Sequence, residues 1–118
     1  MQELFKTTDP DGVTVCLLDD AWDHIVQEHP EMGTMAPQEE VLGYIKQVVE
    51  KPHSRYQDAH FPERRSHYTP FILPKPYNRT YLKVSIRYYR RRWPFFEKRG
   101  AVNTAYPTDK IKPGEKQI

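Results

Sequence analysis

The chain of 118 residues has one cysteine, five isolated glycines and no apolar run near the ~18 residues of a membrane span. Each shortage excludes something. A lone Cys16 permits neither an internal disulfide nor a multi-cysteine zinc site. It lies in the apolar run Val13-Thr14-Val15-Cys16-Leu17-Leu18, with no adjacent cation to lower its pKa, which disfavours a nucleophilic thiol. Isolated glycines leave no phosphate-cradling loop. The start, Met1-Gln2-Glu3-Leu4-Phe5-Lys6, lacks the basic and then apolar pattern of a secretory signal, so a cytoplasmic protein is expected. The length points to one domain over 1–118.

Within each half, charge of one sign is scarce. Residues 1–59 hold four Lys and Arg against twelve Asp and Glu, a net of −8; residues 60–118 hold fourteen against four, a net of +10. Six of the eight tyrosines fall in the basic half. Lys and Arg neutralise phosphates with release of counterions, and interleaved rings stack on bases. The plain alternative is an internally neutralised fold, with acidic helices covering a basic sheet.

The periodicity predicts helices first and strands afterwards. Residues 1–12 read as a polar lead-in with a turn at Asp9-Pro10-Asp11-Gly12. Val13–Leu18 reads as a short strand or extended lead-in. Asp20 and Asp23 have capping-box spacing. Trp22, Ile25, Val26 and His29 share one helical face, and Pro30 ends that helix. A second helix is expected from near Pro37, with Val41, Ile45, Val48 and Val49 as its apolar stripe and Lys51-Pro52 as its end. Beyond His53 the period is two, with strands expected at 54–59, 66–73, 80–89 and 101–106 and a basic tail over 108–118. This order implies an α+β domain with N-terminal helices on one face of a roughly four-stranded antiparallel sheet.

Thr80–Tyr89 is the most informative strand. Leu82, Val84, Ile86 and Tyr88 point to one side. Tyr81, Lys83, Ser85, Arg87 and Tyr89 point to the other, and Lys and Arg are almost never buried unless paired. An uncovered strip of this kind suits a single strand of nucleic acid, with Arg90, Arg91 and Arg92 extending its field. RNA cleavage by side chains alone needs a base for the 2′-hydroxyl, an acid for the 5′-oxygen and cations on the phosphate. Histidine suits the first two roles. His24 and His29 lie about 140° apart on the helical wheel. His24 falls beside Glu28 at i+4 on the polar face, and His29 on the Trp22/Ile25 face. Their plain readings are a surface ion pair and a helix-end residue. His24-Ile25-Val26-Gln27-Glu28-His29 lacks the metalloprotease spacing, so no metal and no cofactor are expected.

Trp22-x-His24-Ile25-x-x-x-His29-Pro30-Glu31-Met32, Pro52, Tyr81-Leu82-x-Val84 and Val102-x-Thr104-Ala105-Tyr106-Pro107-x-Asp109-Lys110-Ile111-Lys112-Pro113-Gly114-Glu115 together resemble the phage-type branch of the barnase–EndoU–colicin–RelE (BECR) nuclease superfamily. The likeness covers roughly 20–118. It implies a barnase/RelE-like fold and a metal-independent, toxin-like RNA endonuclease working on the open sheet face. It carries His24, His29, Thr104 and Tyr106 over as site residues. Tyr68 is followed here by Thr69-Pro70 where related chains hold a basic or aromatic pair, leaving Arg64, Arg65 or His67 to supply the charge.

The expected site is therefore His24, His29, Arg87, Thr104 and Tyr106 for catalysis, with Tyr81, Lys83, Tyr89, Arg90, Arg91 and Arg92 binding RNA. RNA is the expected partner, an acidic antitoxin or immunity protein a further one, and no membrane is involved. The competing expectation is an inactive module of the same fold that binds nucleic acid or protein.

Overall fold

The computed structural model describes residues 2–71, 81–91 and 97–118. The expected strand start at Thr80, the prolines at 74 and 76 and Arg92 of the basic run lie outside them. Asp9-Pro10-Asp11-Gly12 does turn the chain, but between two strands, β1 (Glu3–Thr8) and β2 (Thr14–Leu18). Gly12 sits at φ 81°, a backbone setting that costs glycine nothing. Asp9 Oδ1 accepts hydrogen bonds from the amides of Asp11 and Val13, closing the turn.

β2 leads directly into α1 (Asp19–Glu28), followed by the short α2 (Glu31–Thr34) and by α3 (Gln38–Glu50). α1 begins at Asp19 with Leu18 in the cap position and no side-chain cap, so the expected Asp20 capping box does not form. Asp19 and Asp20 instead place negative charge in the first turn, where the helix dipole favours it. Pro37 precedes α3, and Val41, Ile45, Val48 and Val49 are buried along it. The chain then lays down β3 (Ser54–Gln57), β4 (Arg64–Pro70), β5 (Tyr81–Arg90), β6 (Lys98–Thr108) and β7 (Lys116–Gln117).

These strands form one seven-stranded sheet in the order β1-β2-β6-β5-β4-β3-β7. The class is α+β, but a four-stranded antiparallel sheet is not what forms: the sheet is wider, and β2 runs parallel to β6, with Val15 opposite Gly100. The cause lies at the two ends of the chain. Both were expected to be polar and unpaired; each instead supplies an edge strand, β1 on β2 and β7 on β3. Edge strands need only one partner and no apolar alternation, so composition hides them.

Leu82, Val84, Ile86 and Tyr88 of β5 face the helices, with Val102 and Ala105 of β6 and Val15 and Leu17 of β2. Trp22, Ile25, Met32, Val41, Ile45, Val48 and Val49 close the core from the other side. On this side of the sheet two cations are neutralised. Arg55 reaches Asp11 at 3.0 Å and Asp9 at 3.7 Å, and Arg65 reaches Asp11 at 3.3 Å. The hydrogen bond from Arg55 holds the Asp11 carboxyl below its usual range. The Tyr88 hydroxyl donates to Asp9 at 2.7 Å; burial and this carboxylate push the phenol upward. No helix among the described residues is long and apolar enough to cross a membrane.

Candidate functional site

The strand registers arrange the second sheet face as a grid. Opposite residues of neighbouring strands share a face with Cβ atoms about 5 Å apart. Reading across β4, β5 and β6, Arg64 lies opposite Arg87 and Arg87 opposite Ala101. The next row is Ser66, Ser85 and Thr104, and the one after is Tyr68, Lys83 and Tyr106. Between the first two rows β6 carries a bulge, because Ser85 pairs with Thr104 while Ile86 pairs with Val102. Asn103 is the extra residue, and such a bulge re-aims its neighbours.

α1 borders this grid because β2, its predecessor, runs beside β6 in the same direction, and α1 packs on β6. Both helix histidines therefore sit along one edge. His24 is 56% exposed, 3.3 Å from Glu28, and lines a recess of about 470 Å³ with Arg87, Ala101, Asn103 and Asp20. His29 stacks on Tyr106, with ring centroids 4.4 Å apart and an interplanar angle of 17°. Its Nδ1 is 3.8 Å from Glu31.

The expected uncovered strip of rings and cations is uncovered only in part. Arg87 and Tyr89 are exposed, with the guanidinium 5.7 Å from the Tyr89 ring centre. Lys83 is 5% exposed and Ser85 6%, so both are buried. What meets Lys83 is not an acidic helix but the chain's own tail. Gly114 turns at φ 87°, β7 pairs with β3, and Glu115 is carried onto the sheet face with its side chain fully buried. Glu115 lies 3.7 Å from Lys83 Nζ and accepts a hydrogen bond from the Tyr68 hydroxyl. Burial and this carboxylate push the Tyr68 phenol upward. Lys83 also faces the rings of Tyr68 at 5.5 Å and Tyr106 at 5.7 Å. Lys83 is thus a paired, ring-enclosed cation rather than an open phosphate contact.

Of the other expected residues, Tyr81 is half-buried, edge-on to Tyr68 at 6.0 Å. Tyr89 and Arg91 line a separate recess of about 370 Å³ with Lys6, Thr14, Cys16 and Arg99. Burial and the charge of Glu3 raise the Cys16 thiol, in keeping with an unreactive residue. Arg90 is exposed. Among the three substitutes for a cation near Tyr68, the register puts only Arg64 on this face. Arg65 sits over the Tyr88 ring, and His67 is fully buried on the core side against Val48. Among the described residues no group of His, Cys, Asp and Glu is arranged to hold a metal ion.

Two participants were not legible in the sequence. Glu115 belongs to the end motif, yet its place on Lys83 follows from the pairing of β7. The row of Ser66, Ser85 and Thr104 follows from three strand registers, which no single segment encodes.

No family model matches the chain, and neither the curated proteins nor the solved structures contain a match.

Proposed function

We propose that this chain is a metal-independent, toxin-like RNA endonuclease that works on the second face of its sheet. One observation carries the reading: the two helix histidines border the same face, His24 sharing a recess with Arg87 and His29 stacked on Tyr106 beside Lys83. The likeness of the end motifs to the BECR nucleases supports the same reading. In this scheme one imidazole accepts the 2′-hydroxyl proton as the 2′-oxygen bonds to phosphorus. The other donates a proton to the departing 5′-oxygen, leaving a 2′,3′-cyclic phosphate. Arg87 offsets charge on the phosphate. Tyr106 holds the His29 ring in one plane.

The test is incubation of the purified chain with single-stranded RNA in EDTA. Cleavage is expected, with 2′,3′-cyclic phosphate ends. It falls by about 10²-fold or more when either histidine becomes alanine. Full activity after loss of His24, His29 and Arg87 together removes the mechanism.

A second reading rests on Lys83. A cation already paired with Glu115 contributes less to an incoming phosphate, which fits a non-catalytic module that binds nucleic acid or protein. That module binds RNA with a steep salt dependence and does not cut it. In either reading the basic half suits an acidic partner protein, which in the first would be an antitoxin or immunity protein.

A further inference from the structure

The middle row of the grid is chemically unusual. Ser66 is 1% exposed, and both Ser66 Oγ and Thr104 Oγ1 are buried without a hydrogen-bond partner. A buried hydroxyl left unpaired is costly, and native structures leave only a few such groups. Here both stand in one row, with Ser85 between them on β5. The row is flanked by Arg64 and Arg87 on one side and by the Lys83–Glu115 pair on the other. Arg64 Nε is also buried and unpartnered. Arg87 is exposed and has no salt bridge among the described residues.

Hydroxyl donors in a floor, with guanidinium groups on the rim, are what a phosphate group requires. Each hydroxyl can donate one hydrogen bond, and the guanidinium presents a fork to two oxygens. A carboxylate would leave part of this donor set unused. An apolar ligand would leave the hydroxyls as costly as before. Beside the row lies the recess where His24, Arg87 and Asn103 meet. Arg87 lines that recess and, by strand register, belongs to the row next to the three hydroxyls. The row also falls between the two histidines along β6: His24 borders Ala101 and Asn103, and His29 borders Tyr106.

We propose that Ser66, Ser85 and Thr104, rimmed by Arg64 and Arg87, form the seat of a phosphate group. Within the nuclease reading, on which the further step rests, this is the seat of the scissile phosphodiester. The seat itself needs no catalysis, so the two are separable.

The experiment titrates inorganic phosphate, and separately a 2′-O-methyl oligonucleotide that cannot be cleaved, into the full chain. Amide shifts are followed by NMR, and RNA cleavage is measured in parallel. Thr104→Val and Ser66→Ala remove the hydroxyls with little change of shape, and a thermal melt confirms that both variants fold. Phosphate is expected to move the amides of residues 66, 85 and 104. Each single variant or Arg87→Gln is expected to weaken its binding about tenfold. Lys6→Gln and Arg99→Gln, in the other basic recess, are expected to leave it unchanged. Phosphate binding at the row without cleavage upholds the seat and removes the nuclease reading. Cleavage that is indifferent to Thr104→Val and Ser66→Ala upholds the nuclease and overturns the seat. Shifts confined to the Lys6/Arg99 recess, or no shifts, also overturn it.

Discussion

The imidazole of His29 lies on the phenol ring of Tyr106, centroid to centroid at 4.4 Å and within 17° of parallel. Helix end and last long strand are thereby joined where a histidine meets the basic face. The stack fixes the ring plane while leaving its nitrogens at the edge, where the proposed proton transfer would take place.

That geometry separates the roles of ring and hydroxyl. Tyr106→Phe keeps the stack and is expected to retain most RNA cleavage. Tyr106→Ala frees the imidazole and is expected to approach the loss expected of His29→Ala, about 10²-fold. Single-turnover rates on a short RNA decide between them. Equal losses in the Phe and Ala variants would assign the chemistry to the hydroxyl.

Lys83 and Glu115 are both buried, so removing one strands the other. Lys83→Met and Glu115→Gln are each expected to destabilise the fold by about 3 kcal/mol. The double variant is expected to lose less than the sum, by about 1–3 kcal/mol. Urea titrations of the four proteins measure this coupling. Strict additivity would mean that the tail is not held by the pair.

His67 makes stability depend on pH. Arg55 Nε donates to His67 Nε2 at 3.2 Å, so the ring proton sits on Nδ1, 3.2 Å from the Val48 carbonyl. Burial, and then the Arg55 charge, push its pKa down from 6.5 to about 4. The native ring therefore binds fewer protons than the unfolded one between those values. Its contribution is complete above pH 6.5 and is lost as pH falls toward 4, by about 3 kcal/mol in all. His67→Gln, which does not titrate, is expected to flatten that part of the stability profile. An unchanged profile would place the acid sensitivity elsewhere.

Gly100 is the close-packed point where the parallel pair meets β5. A Cβ there would stand 3.0 Å from Val15, 3.1 Å from Ile86 and 3.2 Å from Tyr88. All three are core side chains with little room to retreat, so Gly100→Ala is expected to cost about 1–3 kcal/mol. The melting temperature reports it. Gly43, with open space around it, is the matched control and should tolerate alanine without loss.

The local patterns were legible where one segment contains its own signal. The stripe Val41, Ile45, Val48 and Val49 is buried as its spacing implies, because a helix faces the core with a fixed period. The alternation in β5 sorts Leu82, Val84, Ile86 and Tyr88 to the core for the same reason, with a period of two. The pairing of His24 with Glu28 follows from helical spacing alone. Strand 3–8 and the pair 116–117 were illegible because an edge strand is defined by its neighbour.

By itself the sequence determined the periodic faces, the chain turn at Asp9–Gly12, and the separation of acidic from basic halves. These depend on residues a few positions apart and on side-chain chemistry. The tertiary structure alone decided that β2 runs parallel to β6, that Glu115 returns to cover Lys83, and that three hydroxyls from three strands share a row. Register and chain return join residues tens of positions apart. Their energies come from packing and ion pairing, which exist only once the sheet has formed.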